Sequence, residues 1–223
     1  MQFSCDRAGF PLLLIPDAEL EIHLLPVAKV QFERFLAEPC GFGDTWYEEL
    51  LALNPRASLA GSHLHFAHSR HVPNEDVTPE REQLFLTGIL PDEALAFARW
   101  LGPGFDLPTV DEWRRAYDAL SGMSLRWDDL DGCLASGAAA DPARLILKQL
   151  FGRLGSVAAQ DATLMRGGVI EWALAGRRWV GKGAPRPAFF PSILDPRHDA
   201  FTPIHPDERL RYLGFRLIRR GRG

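Results

Sequence analysis

Four of the seven histidines lie in one short segment, HLHFAHSRH, with two acidic residues just beyond it at positions 75 and 76. They are His63, His65, His68 and His71. Imidazoles with a nearby carboxylate can bind zinc, iron or nickel. His63 and His65 would share a face in an extended chain, whereas His68 would pair with His71 or His65 in a helix. The spacing matches no defined metal motif, so we interpret the segment as a solvated loop and keep a transition-metal site as the alternative.

A second group of titratable residues lies late in the chain. It consists of His198 and His205, with Asp195, Asp199 and Asp207 nearby. Acid–base catalysis or a metal site could be built from these residue types. Both histidines lie beside proline or charged residues in a segment rich in turns, which favours an exposed, non-catalytic loop.

Other patterns that carry chemistry are missing from the sequence. The three cysteines, Cys5, Cys40 and Cys133, are scattered and form no CxxC pair, so we expect buried free thiols rather than a disulfide framework. The glycine groups Gly152–Gly155 and Gly181–Gly183 fit neither a P-loop nor a dinucleotide fingerprint, and we predict that they form turns. No GxSxG elbow supports a serine nucleophile.

Composition indicates a folded chain. Apolar residues make up 46% and charged residues 24% of 223 residues, as in ordinary globular proteins, and we expect one domain over residues 1–223. No apolar stretch is long enough to span a bilayer, so we expect no membrane association and a cytoplasmic location. The net charge of −4 argues against nucleic acid as a partner, although Arg216, Arg219, Arg220 and Arg222 make a basic end.

The elements that must position these residues follow from apolar spacing. It predicts helices at Ala28–Ala37, Trp46–Leu53, Pro91–Leu101, Val110–Leu120 and Pro142–Phe151. It also predicts two strands or a hairpin within Phe10–Val27, a strand at Tyr212–Ile218, and a long surface loop at Arg56–Glu82. Thr109 can cap the fourth helix, with Glu112 as its capping-box partner. We therefore predict an α+β domain whose terminal strands pair in one sheet.

Four separated segments form a recognisable series along the chain: PVAKVQFERFL at Pro26–Leu36, LPDEALAFARWLGPGFDLPTVDEW at Leu90–Trp113, MRGGVIEW at Met165–Trp172, and LGFRL at Leu213–Leu217. Read in order, they resemble the formylglycine-generating enzyme (sulfatase-modifying factor) family. The resemblance implies a C-type-lectin-like fold with much irregular structure. Independently of that family, Trp100 and Trp113 are suited to anchor helices, and Arg216 to pair with a buried carboxylate such as Glu171 or Glu112.

Two departures from the family pattern bear on chemistry. Family members that oxidise sulfatase cysteines bind copper through two late cysteines, because soft thiolates hold Cu(I), but no cysteine follows Cys133 here. The family's calcium-supporting asparagine corresponds to Gly168, which supplies no side-chain oxygen, although Glu171 and backbone carbonyls remain. Both departures argue against these metals, and we expect no cofactor.

We therefore predict a non-catalytic module that binds a protein or small-molecule ligand through its late loops, Arg177–Tyr212. Aromatic residues and arginines in this region suit an interface. The predicted binding residues are Arg178, Trp179, Arg186, Phe189, Phe190, His198, His205 and Tyr212. One alternative is a metal-dependent, oxygen-using enzyme of a family branch without paired thiolates, with the histidine groups as ligands. Another is a regulatory subunit that dimerises with an active homologue.

Overall fold

The structure is a computed structural model. It describes residues 1–15, 18–36, 38, 85–134, 143–147, 156–165, 169–183, 201–207 and 213–221. These residues form a mixture of helices with a five-stranded, a four-stranded and a two-stranded sheet. The mixed α and β character predicted from sequence is confirmed. The predictions for Trp46–Leu53, Arg56–Glu82 and Gly152–Gly155 lie outside the described residues.

The first sheet joins the two ends of the chain. Its strands are β1 (Phe3–Cys5), β2 (Pro11–Ile15), β3 (Leu20–His23), β4 (Phe105–Asp106) and β11 (Ile218–Arg220), in the order β1-β2-β3-β11-β4. All neighbours are antiparallel. Ile22 of β3 faces Leu13 on one side and Ile218 on the other, and all three side chains are buried. The predicted hairpin and the pairing of the terminal strands are confirmed, whereas β1 was not predicted.

The second sheet carries the late part of the chain. Its strands are β7 (Ile170–Ala175), β8 (Arg178–Lys182), β9 (Phe201–Ile204) and β10 (Leu213–Gly214), in the order β10-β7-β8-β9. A tight turn joins β7 to β8, and Gly176 adopts φ 62° there, a conformation that favours glycine. The third sheet pairs β5 (Ser124–Arg126) with β6 (Ser156–Ala158).

The predicted single strand at Tyr212–Ile218 is wrong. Leu213 and Gly214 pair in parallel with β7, and Ile218 begins β11 in the other sheet. Phe215, Arg216 and Leu217 between them are all buried. A strand on a sheet surface would alternate buried and exposed residues, but this segment crosses the core between two sheets. Tyr212 lies outside the described residues.

Three helices match the sequence predictions. They are α1 (Lys29–Leu36), α2 (Pro91–Leu101) and α3 (Val110–Ala119). Thr109 caps α3 as predicted: its hydroxyl accepts from the Glu112 amide, and its own amide donates to the Glu112 carboxylate at 2.8 Å. Residues 143–147 are helical, within the predicted span Pro142–Phe151. Two short helices, α4 (Trp127–Leu134) and α5 (Ala159–Ala162), were not predicted.

An aromatic cluster ties the helices to the C-terminal segment. The Phe97 ring of α2 lies 5.3 Å from Phe32 of α1 and 5.9 Å from Phe215, between ring centroids. Trp113 of α3 stacks on Tyr117 at 5.7 Å. Trp113 is fully buried, as expected of an anchor, whereas Trp100 is half-buried and lies under the Arg7 guanidinium. No helix among the described residues is long and apolar enough to cross a membrane.

Candidate functional site

The late sheet is supported by a buried ion pair beneath it. Nε and Nη2 of Arg216 donate to the two carboxylate oxygens of Glu171 at 3.0 and 2.8 Å, and both side chains are fully buried. Trp113 Nε1 donates to the same carboxylate at 2.9 Å. The Arg216 guanidinium also donates to the carbonyls of His23 and Leu24. The predicted pairing of Arg216 is therefore confirmed, with Glu171 as the partner.

This network determines what Glu171 can do. Both of its carboxylate oxygens accept from nitrogen donors, two from Arg216 and one from Trp113. Gly168, the position matching the family's calcium-supporting asparagine, lies outside the described residues. Glu112, the other predicted partner of Arg216, instead pairs with Arg220 at 2.8 Å. Glu171 thus serves as an internal anchor for β7.

The exposed part of the same sheet is the end at which the β7–β8 turn lies. Arg177 in the turn and Arg178 at the start of β8 are exposed, and Trp179 is half-buried. Trp179 pairs with Ile204 at the end of β9, which brings the exposed His205 to the same end. We call Arg177, Arg178, Trp179 and His205 the hairpin-end surface. Three of the predicted binding residues, Arg178, Trp179 and His205, are thereby brought to one end of the sheet.

The hairpin-end surface carries two exposed arginines. No ion pair involves Arg177 or Arg178 within the part of the chain that the structure describes. His205 Nδ1 lies 3.6 Å from the Asp207 carboxylate, and both side chains are more than two-thirds exposed, at 72% and 84%. Such an exposed contact contributes little to stability. Because both arginines are exposed, an anionic group on a ligand could contact them.

Trp179 is held in place by its neighbours. Its ring lies 6.1 Å from the ring of Trp172 in an edge-to-face arrangement, and Trp172 is fully buried. Trp172 Nε1 donates to the Ile89 carbonyl at 2.6 Å, which fixes its orientation. A half-buried tryptophan on such a base offers apolar area to a ligand at little cost in conformational entropy.

The remaining candidate residues lie outside the described residues. These are Arg186, Phe189, Phe190, His198 and Tyr212, together with the metal candidates His63, His65, His68 and His71. Within the described ranges, no group of three or more histidine, cysteine, aspartate or glutamate side chains could hold a metal ion.

The glycine group Gly181–Gly183 does not form the predicted turn. Gly181 and Lys182 belong to β8, opposite Trp172 and Glu171, and only Gly183 follows the strand. Lys182 is fully buried, with its Nζ 5.2 Å from the Trp113 ring centroid. Gly183 has φ +87°, and an added Cβ would lie 3.1 Å from the Met165 carbonyl oxygen. The ammonium of Lys182 lies over the ring of Trp113, and this cation–π contact contributes to its stabilisation.

One acid–base pair was missed by the sequence analysis. Nε2 of His23 lies 3.0 Å from the Asp6 carboxylate, which also accepts from the Gln31 side chain at 2.8 Å and the Phe10 amide at 2.9 Å. Only 2% of His23 is exposed, so a substrate could not reach it. Asp6 and Gly9 are residue types that favour a turn, and this was a local signal in the sequence. Nothing in the sequence indicated that Asp6 would pair with His23. We assign this cluster to support of the hairpin β2–β3.

The predicted basic C-terminal end is largely neutralised. Arg219 pairs with Glu21, and Arg220 with Asp106 and Glu112 at 2.6 and 2.8 Å. These arginines line a cleft of about 410 Å³ together with Phe105, Leu101 at the end of α2, and the two residues that follow it. Because each charge has an acidic partner, the cleft lacks the excess positive potential typical of a nucleic-acid site. Arg222 lies outside the described residues.

Comparison with known proteins gives no match, either to a protein-family model or to a curated protein.

Proposed function

We propose that this chain is a non-catalytic module that binds a ligand or protein partner, built on a C-type-lectin-like scaffold of the formylglycine-generating enzyme type. The observation that carries the proposal is the hairpin-end surface. It combines two exposed arginines, which have no acidic partner among the described residues, with a half-buried tryptophan on a rigid base. Tryptophan and arginine are the residue types that most often dominate binding energy at protein interfaces.

The residues that resemble the family support the scaffold part of the proposal. Trp113, Glu171 and Arg216 come from three of the four resembling segments and form one buried hydrogen-bonded network. Phe32 and Phe97, from the first and second segments, pack with Phe215 from the fourth. These segments bury one another, so their joint presence supports a shared scaffold. It does not require that the scaffold carries out any chemistry.

Binding at the hairpin-end surface requires little reorganisation. Arg178 and Trp179 both pair with β7, and Trp179 also pairs with β9, so their backbone is already fixed. Preformed sites lose less conformational entropy when they bind. An anionic group that contacts the two arginines, next to an apolar group on Trp179, is the ligand chemistry that fits.

Charge reversal tests this function. Chemical cross-linking in cells that express the chain, followed by quantitative mass spectrometry, compares the wild type with Arg178→Glu and with Arg126→Glu. Arg126 is also exposed, and it lies on a different sheet, so it is the matched control. We expect Arg178→Glu to reduce recovery of a stoichiometric partner about tenfold or more, since a single anchoring side chain contributes over 1 kcal/mol. Equal recovery with both variants would contradict the proposal.

Elemental analysis of tag-free protein separates the proposal from the alternative. A stoichiometric redox metal, lost from His63→Ala or His65→Ala protein, would support the metal-dependent, oxygen-using enzyme instead. Co-purification with a catalytically active homologue, lost in Arg178→Glu, would identify the partner as that enzyme.

A further inference from the structure

Two cysteines far apart in sequence meet in the structure. Sγ of Cys5, at the end of β1, lies 2.8 Å from Sγ of Cys133 in α4, and 128 positions separate them. Cys5 Sγ also lies 3.6 Å from the Cys133 carbonyl oxygen. Neither is in a disulfide, as the sequence analysis predicted, but both are half-buried rather than buried. The predicted burial is therefore wrong for this pair.

We propose that Cys5 and Cys133 form a reversible redox pair, whose oxidised state is a disulfide between β1 and α4. The elements already pack against each other, because α4 contacts both β1 and β2. The thiols face each other without any intervening side chain, so forming the bond needs only a small local adjustment. The proposal is independent of the hairpin-end surface, and it stands if the proposed binding function fails.

The oxidant is a low-molecular-weight disulfide such as oxidised glutathione. The thiolate of one cysteine of the pair attacks one sulfur of that disulfide, a mixed disulfide forms, and one small thiolate leaves. The thiolate of the other cysteine then attacks the protein sulfur of the mixed disulfide and expels the second small thiolate. The protein thus loses two protons and two electrons, and the small disulfide is reduced to two thiols.

The environment of Cys5 disfavours its thiolate. Burial, then the hydrogen bond and charge interaction with Cys133 and the charge of Asp6, raise the pKa of Cys5 to about 12. Because the thiolate is the attacking form, oxidation of the pair should speed up as pH rises.

The disulfide would stabilise the edge of the five-stranded sheet. Among the described residues, β1 is an edge strand of the five-stranded sheet and pairs with β2. A disulfide to α4 would restrain this strand and close a long loop in the unfolded chain. Closing a loop of this length raises the thermal midpoint of a domain this size by roughly 5–15 °C. The pair therefore gives the fold two states of different stability, chosen by the redox poise of its surroundings.

The test uses a Cys40→Ser variant, which keeps only the proposed pair. After treatment with oxidised glutathione, we expect an intact mass lower by two hydrogen atoms, and a peptide map that joins Cys5 to Cys133. The thermal midpoint should rise by roughly 5–15 °C on oxidation. It should fall back to the value of the reduced protein after treatment with dithiothreitol. In Cys5→Ser/Cys40→Ser protein, oxidation should stop at the glutathione adduct of Cys133.

Two results would overturn the proposal. One is Cys40→Ser protein that retains two free thiols or only a stable glutathione adduct. The other is a wild-type peptide map in which Cys40 is bridged to either cysteine in place of the proposed pair. Because the map is made on wild-type protein too, the outcome does not depend on whether Cys40→Ser folds.

Discussion

Arg216 forms a two-point ion pair with Glu171, and both side chains are completely buried. The same guanidinium donates to the carbonyls of His23, the last residue of β3, and Leu24, so one side chain links both ends of the chain to the late sheet. Burial of two charges is costly, and it is sustained here because the arginine donors and carboxylate oxygens have partners.

Replacing Arg216 with methionine should therefore be strongly destabilising. Arg216→Met leaves the Glu171 carboxylate buried without its cation, and we expect the free energy of unfolding to fall by about 3–5 kcal/mol. Urea denaturation followed by tryptophan fluorescence measures the change. The control is Arg126→Met, whose side chain is 63% exposed in its ion pair, and whose effect should stay within about 0.5 kcal/mol. Similar losses for the two variants would contradict a structural role for the buried pair.

Two glycines should respond to alanine in opposite directions. A Cβ at Gly214 would lie 2.6 Å from the Leu86 carbonyl oxygen and 3.0 Å from Val169, so the backbone must shift. We expect Gly214→Ala to cost roughly 1–3 kcal/mol. Gly132 lies inside α4 with nothing within 4 Å of an added Cβ, and Gly132→Ala should stabilise by about 0.5–1 kcal/mol. The denaturant midpoints of the two variants measure these changes in stability. A lower stability of Gly132→Ala would contradict the assignment of position 132 to a helix.

Helices α2 and α3 could be predicted from the sequence because their start signals depend only on neighbouring residues. Helix α3 begins with the capping box of Thr109 and Glu112, and α2 begins with a proline. Both helices lie where they were expected. Arg216 was assigned a buried carboxylate because arginine in an apolar strand needs one. Helix α4 was missed because its sequence, WDDLDGCL, contains glycine and three aspartates.

The other errors concern contacts between distant segments. The path of residues 213–218 from one sheet to the other cannot be inferred from an apolar run, because burial on all sides hides the alternation of a strand. Cys5 and Cys133 have no sequence pattern that pairs them. For the binding residues, sequence composition indicated the late region, but only the register of Trp179 with Ile204 places His205 at the same end of the sheet.

Glu112 should make stability depend on acid pH. Burial acts to raise the pKa of Glu112, but hydrogen bonds from Arg220 and Thr109 and the Arg220 charge outweigh it, so the pKa lies below its ordinary 4.5. The unfolded chain therefore binds the proton at higher pH than the folded chain. The stabilisation is complete above pH 4.5 and is lost as pH falls through the folded-state pKa.

Glu112→Gln tests this dependence. At pH 7 the variant should be about 1–3 kcal/mol less stable than the wild type, and the difference should shrink as pH falls below 4.5. Asp111→Asn is the control, because Asp111 is 86% exposed with only a 3.9 Å contact to Arg114. Urea titrations at a series of pH values measure both. A difference for Glu112→Gln that stays constant through the acid range would exclude the proposed ion pair as its source.

Lys29 should also make stability rise with pH, but in the alkaline range, because its charge is disfavoured in the folded chain. Its Nζ is buried and makes no hydrogen bond to any described residue, and burial lowers its pKa from 10.5 to about 7, against the opposing charge of Glu33. Between those values the unfolded chain binds one more proton than the folded chain, so wild-type stability should rise with pH by about 1.4 kcal/mol per pH unit.

Lys29→Met removes the group, and it should be more stable than the wild type at pH 7, with an advantage that disappears as pH approaches 10.5. Arg99→Met, at an exposed position of α2, should show a difference that does not change over this range. Denaturant unfolding of the three proteins from pH 7 to 10 measures the slopes, and parallel curves for Lys29→Met and the wild type would mean that Lys29 stays charged in the fold.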